Sequence, residues 1–241
     1  AERFGRYSVT AGQPLVWVHA VSVGETRAAE PLIDALQRKY PRHRILLTHM
    51  TPTGRETGAS LFGERVSRCY LPYDYPWAIR RFLHHFRPAC GILLETEIWP
   101  NLIHACRARN VPIYLVNARL SEKSLRGYRR FGALAAESLR QLTGIAAQGR
   151  VDADRLAGLG AATVQVTGNL KFDIAPAPEM VARGNGWREA YGISRPVLLA
   201  ASTREGEEAL LLQALQGVDI PRLLMVIVPR HPQRFGEVAA L

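Results

Sequence analysis

The sequence predicts an α/β protein built on a parallel sheet with helices on both faces. Three observations predict it. Strand-like and helix-like segments alternate along most of the chain. The strand-like runs are short, apolar and rich in Val, Ile and Leu, as strands buried on both faces must be. Polar turns carrying Gly or Pro follow the strands, where an open parallel sheet gathers its ligand-binding loops.

Val16 to Val21 reads as the first strand, and Thr26 to Tyr40 as an amphipathic helix with Ala29, Leu32, Ile33 and Leu36 on one face. Arg44 to His49 is a strand, and Thr51-Pro-Thr-Gly54 opens a short helix. Val66 to Leu71 is a strand, followed by a helix from Pro76 to Phe86. Then come strand Ala89 to Glu95, helix Trp99 to Arg109, strand Pro112 to Asn117 and a long helix from Ser121 to Leu142. Gly144 to Ala147 is a weak strand, Asp152 to Leu159 a helix and Thr163 to Val166 a strand.

Pro176, Pro178, Gly184 and Gly186 interrupt this rhythm, so residues 168–194 read as a linker holding one helix. Alternation resumes with strand Val197 to Ala201, helix Glu205 to Leu215, strand Leu223 to Val228 and a helix from about Gln233. The expected organisation is a parallel-sheet domain over 1–167, the linker, and the first part of a second such domain over 195–241. Two strands make a poor sheet by themselves, so this second part reads as truncated.

The chain has 241 residues, 47% hydrophobic and 22% charged, which suits a buried core and excludes a disordered or fibrous protein. Its net charge of +10 favours anionic partners: phosphates, nucleic acid or an acidic membrane surface. No RNP motif, zinc finger or DNA-reading helix is present, which argues against nucleic acid. Three widely spaced cysteines give neither a disulfide framework nor a zinc set, and a reducing cytosol fits them. Cys69 and Cys90 read as small buried hydrophobes. There is no signal peptide and no apolar run long enough to span a bilayer. The chain starts at Ala1, so an anchor preceding it stays open.

The turn Ser22-Val-Gly-Glu25 carries the sharpest signal. A carboxylate on a turn at the carboxyl edge of a sheet is placed to act as a base. Ser22-x-x-Glu25 also fits a capping box, in which the two side chains satisfy each other's orphan amides. The local pattern leaves both roles open. Lys171 and Asn169 lie near the junction, where Lys171 can neutralise phosphate or simply face solvent. Glu95 and Glu97 flank Thr96 at a strand end and can bind hydroxyls or brace loops. Ser202 and Thr203 precede a helix start, a candidate anion site. Residues 77–87 interleave Trp77, Phe82 and Phe86 with Arg80, Arg81, His84, His85 and Arg87, which suits either a membrane interface or core packing by Phe82 and Phe86. Residues 119–150 hold seven Lys/Arg and two Glu; Lys123, Arg126, Arg129 and Arg130 there suit lipid phosphates or a solvated face.

The strand-end strings, taken together and in order, closely resemble the Kdo (3-deoxy-D-manno-octulosonic acid) transferases of lipopolysaccharide assembly. They are Ser22-Val-Gly-Glu25, Thr51-Pro-Thr-Gly54, Pro72-Tyr-Asp74, Glu95-Thr-Glu-Ile-Trp-Pro-Asn101, Asn117-Ala-Arg-Leu-Ser121, Gly168-Asn-Leu-Lys-Phe-Asp173, Ser202-Thr-Arg-Glu-Gly-Glu207 and Pro229-Arg-His-Pro232. The resemblance implies a GT-B glycosyltransferase with two Rossmann-like domains facing across a cleft. It implies inverting, metal-independent transfer of Kdo from CMP-Kdo to the distal glucosamine of a lipid A precursor. No cofactor is implied. The partners would be that donor, that acceptor and the anionic cytoplasmic face of the bacterial inner membrane, where members are held by an apolar segment this sequence lacks.

Position by position, Glu25 matches the family's general base. Arg230 matches an arginine that contacts CMP, with Lys171, Ser202 and Thr203 also on the donor side. Ser22, Gly24, Thr53, Arg55, Glu97, Asn101, Arg119 and Lys123 fall to the acceptor. Arg204 stands where the family more often has His. Two rival readings remain: a UDP-sugar epimerase-like enzyme of the same architecture, and a non-catalytic module that binds acidic lipid.

Overall fold

The computed structural model describes residues 1–10, 14–130, 132–174 and 176–241. The chain divides into two compact units, Ala1–Ala175 and Pro176–Leu241. Residues 168–175, read above as linker, thus belong to the first unit.

The first unit is a seven-stranded, wholly parallel sheet: β1 (Leu15–His19), β2 (Arg44–His49), β3 (Ser67–Tyr70), β4 (Cys90–Leu94), β5 (Ile113–Ala118), β6 (Gly144–Ala147) and β7 (Val164–Val166). Its order is β3-β2-β1-β4-β5-β6-β7. Successive strands step one way from β1 to β3, and the other way from β4 to β7. The reversal lies between β1 and β4, and an open sheet forms its crevice there.

Every expected strand forms, with ends shifted by a residue or two. The helices are α1 (Val23–Ala28), α2 (Glu30–Lys39), α3 (Pro52–Phe62), α4 (Pro76–Phe86), α5 (Pro100–Arg107), α6 (Glu122–Arg130), α7 (Gly132–Gln141) and α8 (Arg150–Gly158). The expected helix from Thr26 to Tyr40 is instead two, α1 and α2. Pro31 is the reason: it has no N–H for the preceding turn and sits in the first turn of α2. The expected helix over 121–142 appears as α6 and α7, with residue 131 outside the described residues.

The central strand β1 is buried along its whole length. In β1, Leu15 and Trp17 point into one core, with Leu46, Phe82, Phe86, Leu93 and Leu115. Val16 and Val18 point into the other, with Ile33, Ile45, Leu47, Phe62 and Ile92. Trp17 pairs across to Gly91 of β4. A Cβ on Gly91 would lie 2.7 Å from the indole, so only glycine admits Trp17 there. Phe82 and Phe86 are buried in this core, which decides their role in favour of packing. Cys69 is buried as expected, whereas Cys90, on the first residue of β4, is only half-buried.

The second unit pairs β8 (Val197–Thr203) with β9 (Leu224–Pro229) in parallel, with α9 (Pro178–Tyr191), α10 (Glu207–Leu215) and α11 (Phe235–Ala239). Apolar side chains of this sheet and of α10 stay exposed, Leu199 at 59% and Leu210 at 67%. Arg234 grips the Glu208 carboxylate with two bonds of 3.0 and 3.1 Å.

Candidate functional site

The first unit gathers its polar loops at the carboxyl edge of the sheet. Glu25 follows β1, and Glu95 and Glu97 follow β4, so the three carboxylates flank the point where strand order reverses. They feel one another electrostatically: Glu95 and Glu97 both face Glu25.

Glu25 is 8% exposed. Its Oε2 accepts the Val21 N–H at 2.9 Å, and its Oε1 accepts the Ser22 hydroxyl at 2.9 Å. Ser22 Oγ in turn accepts the Glu25 N–H at 3.4 Å. The capping box is therefore made, but with one change: the carboxylate reaches back to the Val21 amide, one residue before the cap. Burial pushes the Glu25 pKa up, against the two donors. Both roles read from the sequence are geometrically compatible, since each carboxylate oxygen keeps a lone pair free.

Glu97 is pushed up to about 7, first by burial and then by the charges of Glu25 and Glu95, while the Trp99 indole N–H donates to its Oε2 at 2.6 Å. Glu95 adopts a left-handed backbone, φ 59°, as does Asn117 at the end of β5, φ 55°. Such strain persists only where neighbours fix it. Asn117 Oδ1 accepts the Leu170 N–H, and its carbonyl accepts Gln148 Nε2. Asn169 Nδ2 donates to Gln148 Oε1, and Asn169 Oδ1 accepts the Lys171 N–H. This ties the ends of β5, β6 and β7 together. It carries Lys171 to 3.8 Å from Glu95. Lys171, read from the sequence as a junction residue, thus sits beside the acidic cluster of the first unit.

The remaining acceptor-side residues are less gathered. Thr53 is exposed on the first turn of α3. Arg55 pairs with Glu2 at 3.1 Å and covers the Tyr70 ring. The Asn101 amide donates to the Asp74 carbonyl, while the Asp74 carboxylate caps α5 by accepting the N–H groups of Asn101 and Leu102. Gly24 lies in the first turn of α1 beside Ser22. Arg119 and Lys123 are exposed, as are Arg126, Arg129 and Arg130.

In the second unit, Thr203 pairs with Pro229, and the Arg230 N–H donates to the Thr203 carbonyl at 2.9 Å. Ser202 (φ 62°), Thr203 and Arg230 thus share one strand-end edge. The Thr203 side chain is buried and lies against the Glu208 carboxylate, and the Arg230 side chain is exposed.

Sequence reasoning gave no site role to His19, His49, Gln148 or Thr51, the last read only as part of the string that opens a helix. The signal was a polar residue closing each apolar strand, a weak one for any single position. His19 Nδ1 donates to Thr48, and His49 Nδ1 to the Ala20 carbonyl at 2.9 Å. Each Nε2 is then a buried acceptor without a partner among the described residues. Protonation would bury an unpaired charge, so burial pushes His19 down to about 3 and His49 to about 4.

Lowered histidine pKa values stabilise the fold above pH 6.5 and withdraw that stability as pH falls towards the folded values. Glu97, raised, acts oppositely and favours the fold as pH falls from 7. Between pH 7 and pH 5 the two histidines together withdraw about 4 kcal/mol, and Glu97, Glu25 and Asp74, all raised by burial, return part of it. The histidine share is read by comparison: stability from urea denaturation should fall less between pH 7 and pH 5 in His49→Gln than in the wild type. An equal fall in the two would show that the His49 ring is protonated in the folded protein.

Comparison with known proteins gives this arrangement its family. Residues 1–174 match the family model described as 3-Deoxy-D-manno-octulosonic-acid transferase (kdotransferase). Relatives carrying the name 3-deoxy-D-manno-octulosonic acid transferase include one from Bordetella pertussis, 48% identical over 99% of this chain, and one from Haemophilus influenzae, 40% identical over all of it. This chain spans 58% of the length of each. Among solved structures, a UDP-GlcNAc 2-epimerase from Neisseria meningitidis superposes with a TM-score of 0.62 at 16% identity, over 94% of this chain and 68% of that one. MurG from Acinetobacter baumannii does so at 0.52 and 11%, over 90% and 68%. Likeness at such identity shows the fold alone, and it is the α/β fold of the GT-B type expected from the sequence. With the family model covering the whole carboxylate-bearing unit, the chain belongs to the 3-deoxy-D-manno-octulosonic-acid transferase (kdotransferase) family.

Proposed function

We propose that this chain supplies the acceptor domain, residues 1–167, and the start of the donor domain, from residue 195, of an inverting, metal-independent glycosyltransferase. It moves Kdo from CMP-Kdo to the distal glucosamine of a lipid A precursor. Glu25 is the general base. The observation that carries this reading is the Glu25 carboxylate itself: buried, aimed by two donors, and set at the reversal of the sheet.

A sugar hydroxyl is a poor nucleophile near neutral pH. As its oxygen bonds to the anomeric carbon of Kdo, its proton passes to Glu25, and the bond to the CMP phosphate breaks. A raised pKa makes Glu25 a stronger base. Arg230 neutralises the departing phosphate. Glu97 and Glu95 accept hydrogen bonds from the acceptor sugar. Mass spectrometry of products formed by the full-length protein from CMP-Kdo and a lipid A precursor tests the reading. Absence of a Kdo-bearing lipid would sink it, and turnover of a UDP-sugar instead would favour the epimerase-like alternative.

The anionic membrane surface is the proposed place of action. Among the described residues no helix is long and apolar enough to cross a membrane. With Phe82 and Phe86 inside, Trp77, Tyr75, Tyr73 and Phe4 are exposed together beside the start of α4, with Phe4 and Tyr75 each stacked on Trp77 about 6 Å away. Arg81 lies over the Trp77 ring, and Arg80 and Arg87 are exposed nearby on or just after α4. Such aromatic and basic groups together suit a headgroup interface. Neutralising Arg80, Arg81 and Arg87 together should weaken binding to anionic vesicles by roughly 10²-fold, at about 1 kcal/mol each. Binding indifferent to these changes and to salt would remove the assignment.

A further inference from the structure

One of the two donors that aim Glu25 belongs to the Ala20–Val21 peptide: the Val21 N–H reaches Glu25 Oε2 at 2.9 Å. The carbonyl of that same peptide, Ala20's, accepts His49 Nδ1 at 2.9 Å. A trans peptide points its C=O and N–H in opposite directions on one rigid plane. His49 therefore holds from one side the group that Glu25 meets from the other.

The surroundings fix the proton on the ring. Thr26 Oγ1 gives its own proton to the Ser22 carbonyl at 2.8 Å and lies 3.4 Å from His49 Nδ1. A carbonyl can only accept. Both neighbours of Nδ1 thus accept, and Nδ1 carries the hydrogen. The ring is fully buried, and Gly58 of α3 makes room for it: a Cβ there would lie 2.8 Å from Nε2.

We propose that His49 is a positioning residue for Glu25, acting through the Ala20–Val21 peptide; the proposal rests on reading Glu25 as the general base. Its Nδ1–H fixes the tilt of the peptide plane and so the direction of the Val21 N–H. It also polarises the peptide, because an amide whose oxygen accepts a hydrogen bond donates more strongly at its N–H. His49 closes β2, so the second strand supports a base mounted after the first. Packing alone would be met by an apolar side chain, as at Leu47 two positions earlier in β2.

The groups facing Glu25 are Ser22 from its own turn and Glu95 and Glu97 from the loop after β4, with Lys171 against Glu95. Those facing His49 are Arg55 of α3, Arg68 of β3 and His19 of β1. None is altered by a change at 49. Burial holds His49 down to about 4 and pushes Glu25 up, so an uncharged replacement removes little charge where Glu25 titrates.

Carboxyl carbon NMR of the 241-residue chain labelled at glutamate measures the Glu25 midpoint, with Glu25→Gln identifying the signal. His49→Leu fills similar space without a donor. The Val21 N–H then loses its aim and part of its strength, and the midpoint should rise by at least about half a pH unit. His49→Asn sets an amide NH₂ near the Nδ1 position and should bring the midpoint back. The Val21 amide proton should move upfield in His49→Leu and recover in His49→Asn. In the full-length enzyme the acid limb of kcat/KM should follow the midpoint in both variants, which a merely structural loss would leave in place.

A further measurement leaves His49 untouched and serves even where His49→Leu fails to fold. The His49 Nδ1 proton of the wild type should shift at the Glu25 midpoint, and Glu25→Gln should abolish that step. A Glu25 midpoint unmoved in folded His49→Leu overturns the proposal, as does a His49 proton that ignores the Glu25 titration. Full activity in Glu25→Gln would instead overturn the base assignment and leave the coupling measured by NMR intact.

Discussion

Glu25→Gln in the full-length enzyme is expected to lower the rate of Kdo transfer by ~10²–10⁴, equivalent to about 3–5 kcal/mol of activation free energy. The substitution is close to isosteric. Its amide oxygen can still accept the Val21 N–H, and its NH₂ can donate to Ser22 Oγ, so the start of α1 keeps its cap. What disappears is the capacity to take a proton from the acceptor hydroxyl. The acid limb of the rate profile should vanish with it, since Glu25, raised by burial, titrates above an ordinary carboxylate. Mass-spectrometric initial rates on the folded variant decide the matter. A rate within a few-fold of the wild type means that Glu25 is a helix cap and that the base lies elsewhere, with Glu97 the next group to replace.

Trp17→Ala should destabilise the first unit by about 3–5 kcal/mol, a large part of the roughly 5–15 kcal/mol that holds a domain together. Trp17 is fully buried at the centre of the sheet. Its indole N–H donates to Thr48 Oγ1 at 2.8 Å, and its ring meets Phe82 edge-on at 5.0 Å. Gly91 leaves the space the ring fills. Deleting the ring opens a void below His19 and the turn that carries Glu25. Trp17→Phe should cost less, about 1–2 kcal/mol, because most of the volume stays and one hydrogen bond goes. Urea denaturation followed by circular dichroism measures both. A loss below about 1 kcal/mol for Trp17→Ala would mean that the sheet collapses onto the void.

Much of this molecule is written locally. The apolar runs at Arg44–His49 and Gly144–Ala147 became strands with the ends read from the sequence, and Pro76–Phe86 became a helix with its proline in the first turn. Side-chain period, glycine and proline act over a few residues, so a sequence displays them directly. Where two such rules conflict the local reading fails, as at Pro31, where the amphipathic pattern runs on but the backbone cannot.

Residues whose roles depend on distant partners were less legible. Asn101 is engaged by Asp74, 27 positions earlier, and Lys171 sits beside Glu95, 76 positions earlier. Phe82 and Phe86 were ambiguous until the sheet covered them, and Tyr73, Tyr75 and Phe4 gained meaning only beside Trp77. Thr51 read as the opening of a helix, and the structure also ties its hydroxyl to the Val21 carbonyl, 30 positions earlier, in the turn before Glu25.

The sequence by itself determined the element types, the wholly parallel character of the first sheet, the family, and Glu25 as the residue to watch. Only the tertiary structure decided that β4 lies beside β1, and therefore that Glu95 and Glu97 face Glu25. The physical reason is that strands buried on both faces look alike to their neighbours. Their backbone groups pair equally well with any parallel partner, so order is chosen by how the whole set of faces buries its apolar area, which no local stretch records.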